Sequence, residues 1–139
     1  MKVLLLGYGS IGQRHAENIR ALLYPNCELT IIDPPKKMDG AVMMMRDGIK
    51  FFDFAIIASP TECHLEHMEK ISKYGIPFLV EKPPCEEIET SQYRILVDAV
   101  ERAGLKCAIA FQYRFHKQAR KIQDLARTDN LSFIAQDDL

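Results

Sequence analysis

Residues 81–84 read Glu-Lys-Pro-Pro, directly after the apolar run Phe78-Leu79-Val80. An acid and a base at a strand end, on a backbone stiffened by two prolines, can hold an ammonium in one place. Such an ammonium can stabilise negative charge developing on a carbinol or carbonyl oxygen, or pass it a proton. The bland alternative is a surface turn carrying an ordinary ion pair. What lies beside the strand end decides between them.

A second pattern, Gly7-Tyr8-Gly9-Ser10-Ile11-Gly12, fits G-x-G-x-x-G. Gly7 permits a tight turn, Gly9 lets backbone approach a pyrophosphate, and Gly12 lets a helix pack closely on a strand. Tyr8, Ser10 and Ile11 complete the cradle, with the first helical amides facing the phosphates. Alone the pattern is weak, because glycines cluster in many turns. It gains meaning where a strand precedes it and a helix follows. Asp33 stands twenty-one residues past Gly12, close to the gap of about 20 at which an acid accepts hydrogen bonds from the adenosine ribose hydroxyls. A carboxylate there repels a 2′-phosphate and favours NAD. Lys36 and Lys37 could swing towards such a phosphate, so NADP stays open.

The elements around these residues supply the context. Lys2–Leu6 is a short apolar run closed by glycine, as a strand buried on both faces should be. A helix is predicted over 11–23, ended by Pro25 and Asn26, then strands at 28–33 and 54–59. A helix from about Thr61 to Lys73, a strand at 77–81, a helix near 88–103, a strand at 106–111 and a helix near 115–127 follow. Residues 131–136 have strand character. The stretch 34–50 is the weakest to assign; a short helix over 38–47, with Met43–Met45 filling core gaps, is expected. Strand–helix alternation with continuous apolar strands implies a Rossmann-like, doubly wound parallel sheet. Ligands of such sheets bind beyond the carboxyl ends of the strands, and every unusual cluster in this chain falls at such an end.

Composition removes other classes. The 139 residues are 47% hydrophobic, enough for one core, and 18 basic against 19 acidic residues give a formal charge of −1. A nucleic-acid partner is not suggested. No apolar run approaches the roughly 18 residues of a membrane helix. Cys27, Cys63, Cys85 and Cys107 are spread out and read as small core residues in a reducing cytoplasm. Cys63, His64 and His67 invite a zinc reading, but no second cluster completes a ligand set and no metal is expected.

With the elements placed, "GYGSIGQRH", "IIASPTECH", "GIPFLVEKPP" and "AFQYRF" stand in the order of one family. They resemble the cofactor-binding domain of the glucose–fructose oxidoreductase / inositol dehydrogenase family (Gfo/Idh/MocA), over about residues 2–127. The resemblance implies that Ser59, Pro60 and Thr61 line the cofactor and that His64 caps the next helix near it. It implies that Glu81 lies close to the nicotinamide half, and that Lys82 reaches the nicotinamide ribose and the substrate's reactive oxygen. Pro83 would fix the elbow, often through a cis bond in the family, and Arg114 would sit at the neighbouring strand end. Glu81 is then expected to keep the Lys82 ammonium charged and aimed. His67 is expected on a solvated face, His15 to pack or cap within the first helix, and His116 at the surface, where Lys117 replaces the family's frequent proline.

Two departures follow from the same resemblance. The link from Asp33 to the strand at 54 is short, which implies a sheet of about five strands. Family enzymes also carry a larger second domain that builds much of the substrate pocket. Residues 1–128 are read as the dinucleotide-binding domain, and 129–139 as the start of that absent domain or a tail. The implied function is an NAD(P)-dependent oxidoreductase domain acting on a sugar, cyclitol or related hydroxy or keto compound, completed by a partner or second domain. A homo-oligomer, a dimer above all, would cover the exposed face. The alternative is a non-catalytic dinucleotide-binding sensor or interaction module.

Overall fold

The structure, a computed structural model, describes residues 1–33, 51–87 and 90–127; the side chains of residues 114, 123 and 125–127 fall outside it. Five parallel strands form one sheet in the order β2-β1-β3-β4-β5. They are β1 (Lys2–Leu6), β2 (Glu28–Ile32), β3 (Phe54–Ile57), β4 (Phe78–Val80) and β5 (Cys107–Ile109). The helices are α1 (Ser10–Leu23), α2 (His64–Lys73), α3 (Ser91–Arg102) and α4 (Lys117–Arg127). Short 3₁₀ turns, Thr61–Cys63 and Gln112–Phe115, precede α2 and α4. The five-stranded Rossmann-like sheet is the one read from the sequence. The proposed helix over 38–47, its methionines, Lys36, Lys37 and the segment 131–136 lie outside the described residues.

β1 is central, and its side chains alternate between two cores. Val3 and Leu5 pack with Ala16 and Ile19 of α1 and Ile56 of β3. Leu4 and Leu6 pack with Met68 and Ile71 of α2, Leu96 of α3, and residues of β3 and β4. All four β1 side chains are buried, which explains a strand with no polar face. α1 covers one face, and α2 and α3 the other.

The sheet order reverses beside β1, since the chain passes from β2 on one side of it to β3 on the other. That reversal leaves a crevice at the carboxyl ends of β1 and β3, the place where such sheets take ligands. Towards β5 the face on the α1 side is thinly covered. Ala108 is exposed, as are Phe111, Tyr113 and Phe115 just beyond the strand. α4 lies against the preceding 3₁₀ turn, with Ile122 exposed.

Candidate active site

The turn from β1 into α1 is built on backbone contacts that only glycine permits. Gly7 has φ +94°, a left-handed conformation that favours glycine. A Cβ on Gly7 would stand 2.5 Å from the Ala58 carbonyl oxygen, and one on Gly12 would overlap the Gly7 carbonyl. These two glycines let β1, β3 and α1 close up. Gly9 differs: a Cβ there would meet nothing within 4 Å. Its α-carbon faces open space, so the protein's own packing does not require glycine there. α1 starts at Gly9 without a side-chain cap and with no acidic residue in its first turn. Its leading amides therefore have no side-chain cap, the state in which a helix start can receive an anion.

Asp33 follows β2 and turns back towards this mouth, where its Oδ1 accepts the Tyr8 amide at 3.1 Å. That bond fixes the carboxylate beside the loop. The residues present thus fit a dinucleotide: free amides, a bare approach at Gly9, and an acid at the ribose end.

A cleft of about 1070 Å³ takes in Ile11, the residues after β3 and β4, the length of β4 and β5, and the side of α3 that faces them. Its walls include His15 of α1, Ser59 and Thr61 after β3, and Glu81 and Lys82 after β4. Gly9 and Asp33 lie outside this lining, exposed at the surface. Arg114 belongs to the 3₁₀ turn after β5, and its side chain is among those not described.

The Glu-Lys-Pro elbow is held from both faces of the sheet. The Lys82–Pro83 bond is cis. On the α1 side, His15 Nε2 lies 2.7 Å from Glu81 Oε1. On the α2 side, His64 Nδ1 lies 2.8 Å from the Pro83 carbonyl oxygen, and its Nε2 lies 2.8 Å from the Ser59 carbonyl oxygen. His64 therefore ties the end of β3 to the elbow after β4, and its ring is buried. Between these anchors the Lys82 ammonium makes no hydrogen bond or ion pair among the described residues.

Four sequence expectations change here. The first is that His64 does not cap the helix but lies inside α2, with both ring nitrogens on the Ser59 and Pro83 carbonyls. Glu81 makes no ion pair with the Lys82 side chain among the described residues; its carboxylate meets His15 instead. His15 accordingly reaches across to β4 and does not stay within its helix. His67 is buried, not solvated, with Nδ1 at 2.8 Å from Ser59 Oγ. His64, His67, Met68 and Ile71 are the buried residues of α2, a spacing of three, four and seven that marks a core-facing stripe. That signal was available in the sequence.

Burial pushes the His67 ring down from its ordinary value to about 4, with Glu66 opposing and Lys70 and His64 adding to the fall. The ring stays neutral at pH 7. The unfolded chain binds a proton more readily between about pH 6.5 and 4, so stability must fall as pH drops through that window. About 2 kcal/mol should be lost between pH 7 and pH 5 from this ring, at about 1.4 kcal/mol per pH unit. Urea denaturation at the two pH values should show the loss, and His67→Gln should remove most of it.

Burial also raises the thiols of Cys63, Cys85 and Cys107, which makes them poor nucleophiles. Among the described residues no group of three or more His, Cys, Asp or Glu gathers as a metal site. No helix of the described residues is long and apolar enough to cross a membrane.

A model of an oxidoreductase family with an NAD-binding Rossmann fold, Gfo/Idh/MocA, matches residues 38–111, more than half of the chain. The chain belongs to the Gfo/Idh/MocA oxidoreductase family. NAD is the cofactor of that family's fold, in agreement with the open mouth at Gly9. Among solved structures, this family member is similar to scyllo-inositol dehydrogenase from Lactobacillus casei, solved with bound NAD(H) and scyllo-inositol. The TM-score is 0.72 at 21% identity, covering 95% of this chain and 42% of that one. An NAD binding oxidoreductase from Klebsiella pneumoniae gives 0.71 at 22% identity, covering 95% and 40%. UDP-N-acetylglucosamine 3-dehydrogenase GnnA from Acidithiobacillus ferrooxidans gives 0.68 at 20%, covering 89% and 42%. These likenesses show the Gfo/Idh/MocA fold, and the chain spans about two fifths of the length of each. No curated protein matches it.

Proposed function

We propose that the chain is the cofactor-binding part of an oxidoreductase acting on a carbinol or ketone of a sugar, cyclitol or related compound, with Lys82 as the reacting side chain. The observation that supports it best is the Lys82 ammonium, without a partner among the described residues, on a doubly anchored elbow in the wall of a cleft that also takes in Ile11 of the glycine-loop helix.

When bound, NAD takes up or returns a hydride at its nicotinamide ring. The chain's own residues do the rest. Amides of Ser10, Ile11 and Gly12 hold the pyrophosphate, Gly7 and Gly12 shape the turn, and Tyr8 with Asp33 receives the adenosine ribose. The Asp33 carboxylate disfavours a 2′-phosphate. Ser59, Pro60 and Thr61 form the wall after β3, with His64 behind them, and Glu81, Lys82 and Arg114 stand at the nicotinamide end. In reduction the Lys82 ammonium gives a proton to the substrate's carbonyl oxygen as the hydride arrives and is re-protonated from solvent. Oxidation runs these steps in reverse, the hydroxyl proton passing through Nζ to solvent.

Orienting a substrate within about 3–3.5 Å of the nicotinamide needs further walls. Residues 1–128 serve as the dinucleotide-binding domain, with 129–139 leading into a second domain or a tail outside the described residues. Exposed Phe111, Tyr113 and Phe115 offer a surface for that domain, a second copy or another chain. Four free cysteines fit a cytoplasmic setting.

Titration of NADH and NADPH by cofactor fluorescence, followed by a screen of polyols at the nicotinamide absorbance band, tests the reading. NADH should bind more tightly than NADPH. Lys82→Ala should change NADH affinity less than about threefold, and should cut turnover of any accepted polyol by about a hundredfold or more. Binding without turnover in any completed assembly would favour a sensor or interaction module. Absence of NADH binding would end both readings.

A further inference from the structure

We propose that His15 is a positioning residue for Lys82, acting through Glu81, and that this contact couples the glycine-loop helix to the lysine elbow. The coupling half of the proposal rests on the dinucleotide reading; the positioning half does not.

The contact joins parts of the chain 66 residues apart, and both side chains are mostly covered, His15 at 19% and Glu81 at 16% exposure. Hydrogen bonds to charged groups in such settings are stronger than neutral ones. The second carboxylate oxygen is also used: Glu81 Oε2 accepts the Lys82 backbone amide at 3.3 Å. One oxygen is thus pinned to α1, and the other holds the backbone of the lysine itself. Glu81 acts as a bracket between helix and lysine. With the neighbouring acid engaged by His15, the Lys82 ammonium has no partner among the described residues.

His15 also stands three residues past Gly12, one turn into α1. It moves with the amides that receive the phosphates. Ordering that turn by an anion orders His15, then Glu81, then the lysine backbone. Coupling of this kind is reciprocal, so loosening the elbow must weaken binding at the mouth. His64 holds Pro83 independently, so the elbow remains folded when His15 is lost, and the contribution of His15 can be read by itself.

The test has two arms. Amide hydrogen exchange is followed by NMR on the chain without cofactor, for wild type, His15→Leu and His15→Gln. The Lys82 amide should exchange about tenfold faster in His15→Leu, and His15→Gln, whose amide can still donate to the carboxylate, should recover most of the difference. The Leu4 amide in β1 should not change. Equal exchange at Lys82 in wild type and His15→Leu overturns the proposal; so does an equal rise at Leu4, which would mark His15 as an ordinary packing residue. In the second arm, NADH affinity is measured through the cycle of His15→Leu and Glu81→Gln. Each single change should weaken binding about fivefold, and the pair little more than either. Fully additive losses overturn the coupling. Should wild type fail to bind NADH, the dinucleotide reading and the coupling both fall, while the exchange arm still decides the positioning role.

Discussion

Replacing Gly9 with valine is expected to remove NADH binding while leaving the protein folded. The affinity should fall at least about a hundredfold, the loss of one or two hydrogen bonds to a charged group. The geometry separates the two effects. A Cβ at Gly9 meets no protein atom within 4 Å, and the residue has an ordinary φ of −65°. Stability should therefore change by no more than about 1 kcal/mol, the scale of a poorer helix start. The new side chain would occupy the space that a pyrophosphate needs in order to reach the leading amides. Cofactor fluorescence and a thermal melt of the same sample read both quantities. Unchanged affinity in a folded Gly9→Val protein would mean that the mouth of α1 is not where the dinucleotide lies.

Gly12→Ala should do the opposite and damage the fold first. Its added methyl would overlap the Gly7 carbonyl, and neither group has room to yield. Gly7 is itself locked against Ala58, and its amide donates to the Ile32 carbonyl at 2.8 Å. Relief would require moving α1 away from the sheet, breaking the packing of Ala16 and Ile19 on Val3, Leu5 and Ile56. About 3 kcal/mol or more should be lost, at the upper end for overpacking, and urea denaturation would measure it. A change under about 1 kcal/mol would show the turn to be looser than its contacts imply. The two substitutions, three residues apart in one motif, distinguish a glycine kept for the fold from a glycine kept for a ligand.

Much of this was readable from residue order. The boundaries of β1 coincide with its expected limits because glycine follows a run that is apolar on both faces. The strand order could not be read from any single element, yet parallel pairing follows from helices inserted between strands. Ends were placed less well where local signals were soft. The helix expected from Thr61 begins as a 3₁₀ turn, and its α-helical part starts at His64. Of the described part of the site, the glycine loop, Asp33 and the Glu-Lys-Pro elbow fall where their spacing put them, at strand ends.

What the sequence hid was which side chains meet. The solvated face expected for His67 gives way to burial, and its spacing with His64, Met68 and Ile71 follows the buried stripe. Ser59, eight residues earlier, satisfies its ring nitrogen and removes the objection to burial. Neighbours in the chain such as Glu81 and Lys82 suggest an ion pair, but the Glu81 carboxylate goes to His15, 66 residues away. The His15–Glu81 contact needs α1 laid across β1 and β3 towards β4, a consequence of sheet order that no local pattern encodes. Long-range polar contacts of this kind are revealed by tertiary structure alone.

On the proposed reading, the start of α1 and the elbow after β4 hold two ends of one bound dinucleotide. Amide chemical shifts of the ¹⁵N-labelled chain, followed as NADH is added, test it most directly. The largest changes should fall on Ser10, Ile11 and Gly12, with a second group at Glu81 and Lys82 appearing at the same NADH concentration. Changes confined to other surfaces, or none at saturating NADH, would contradict it.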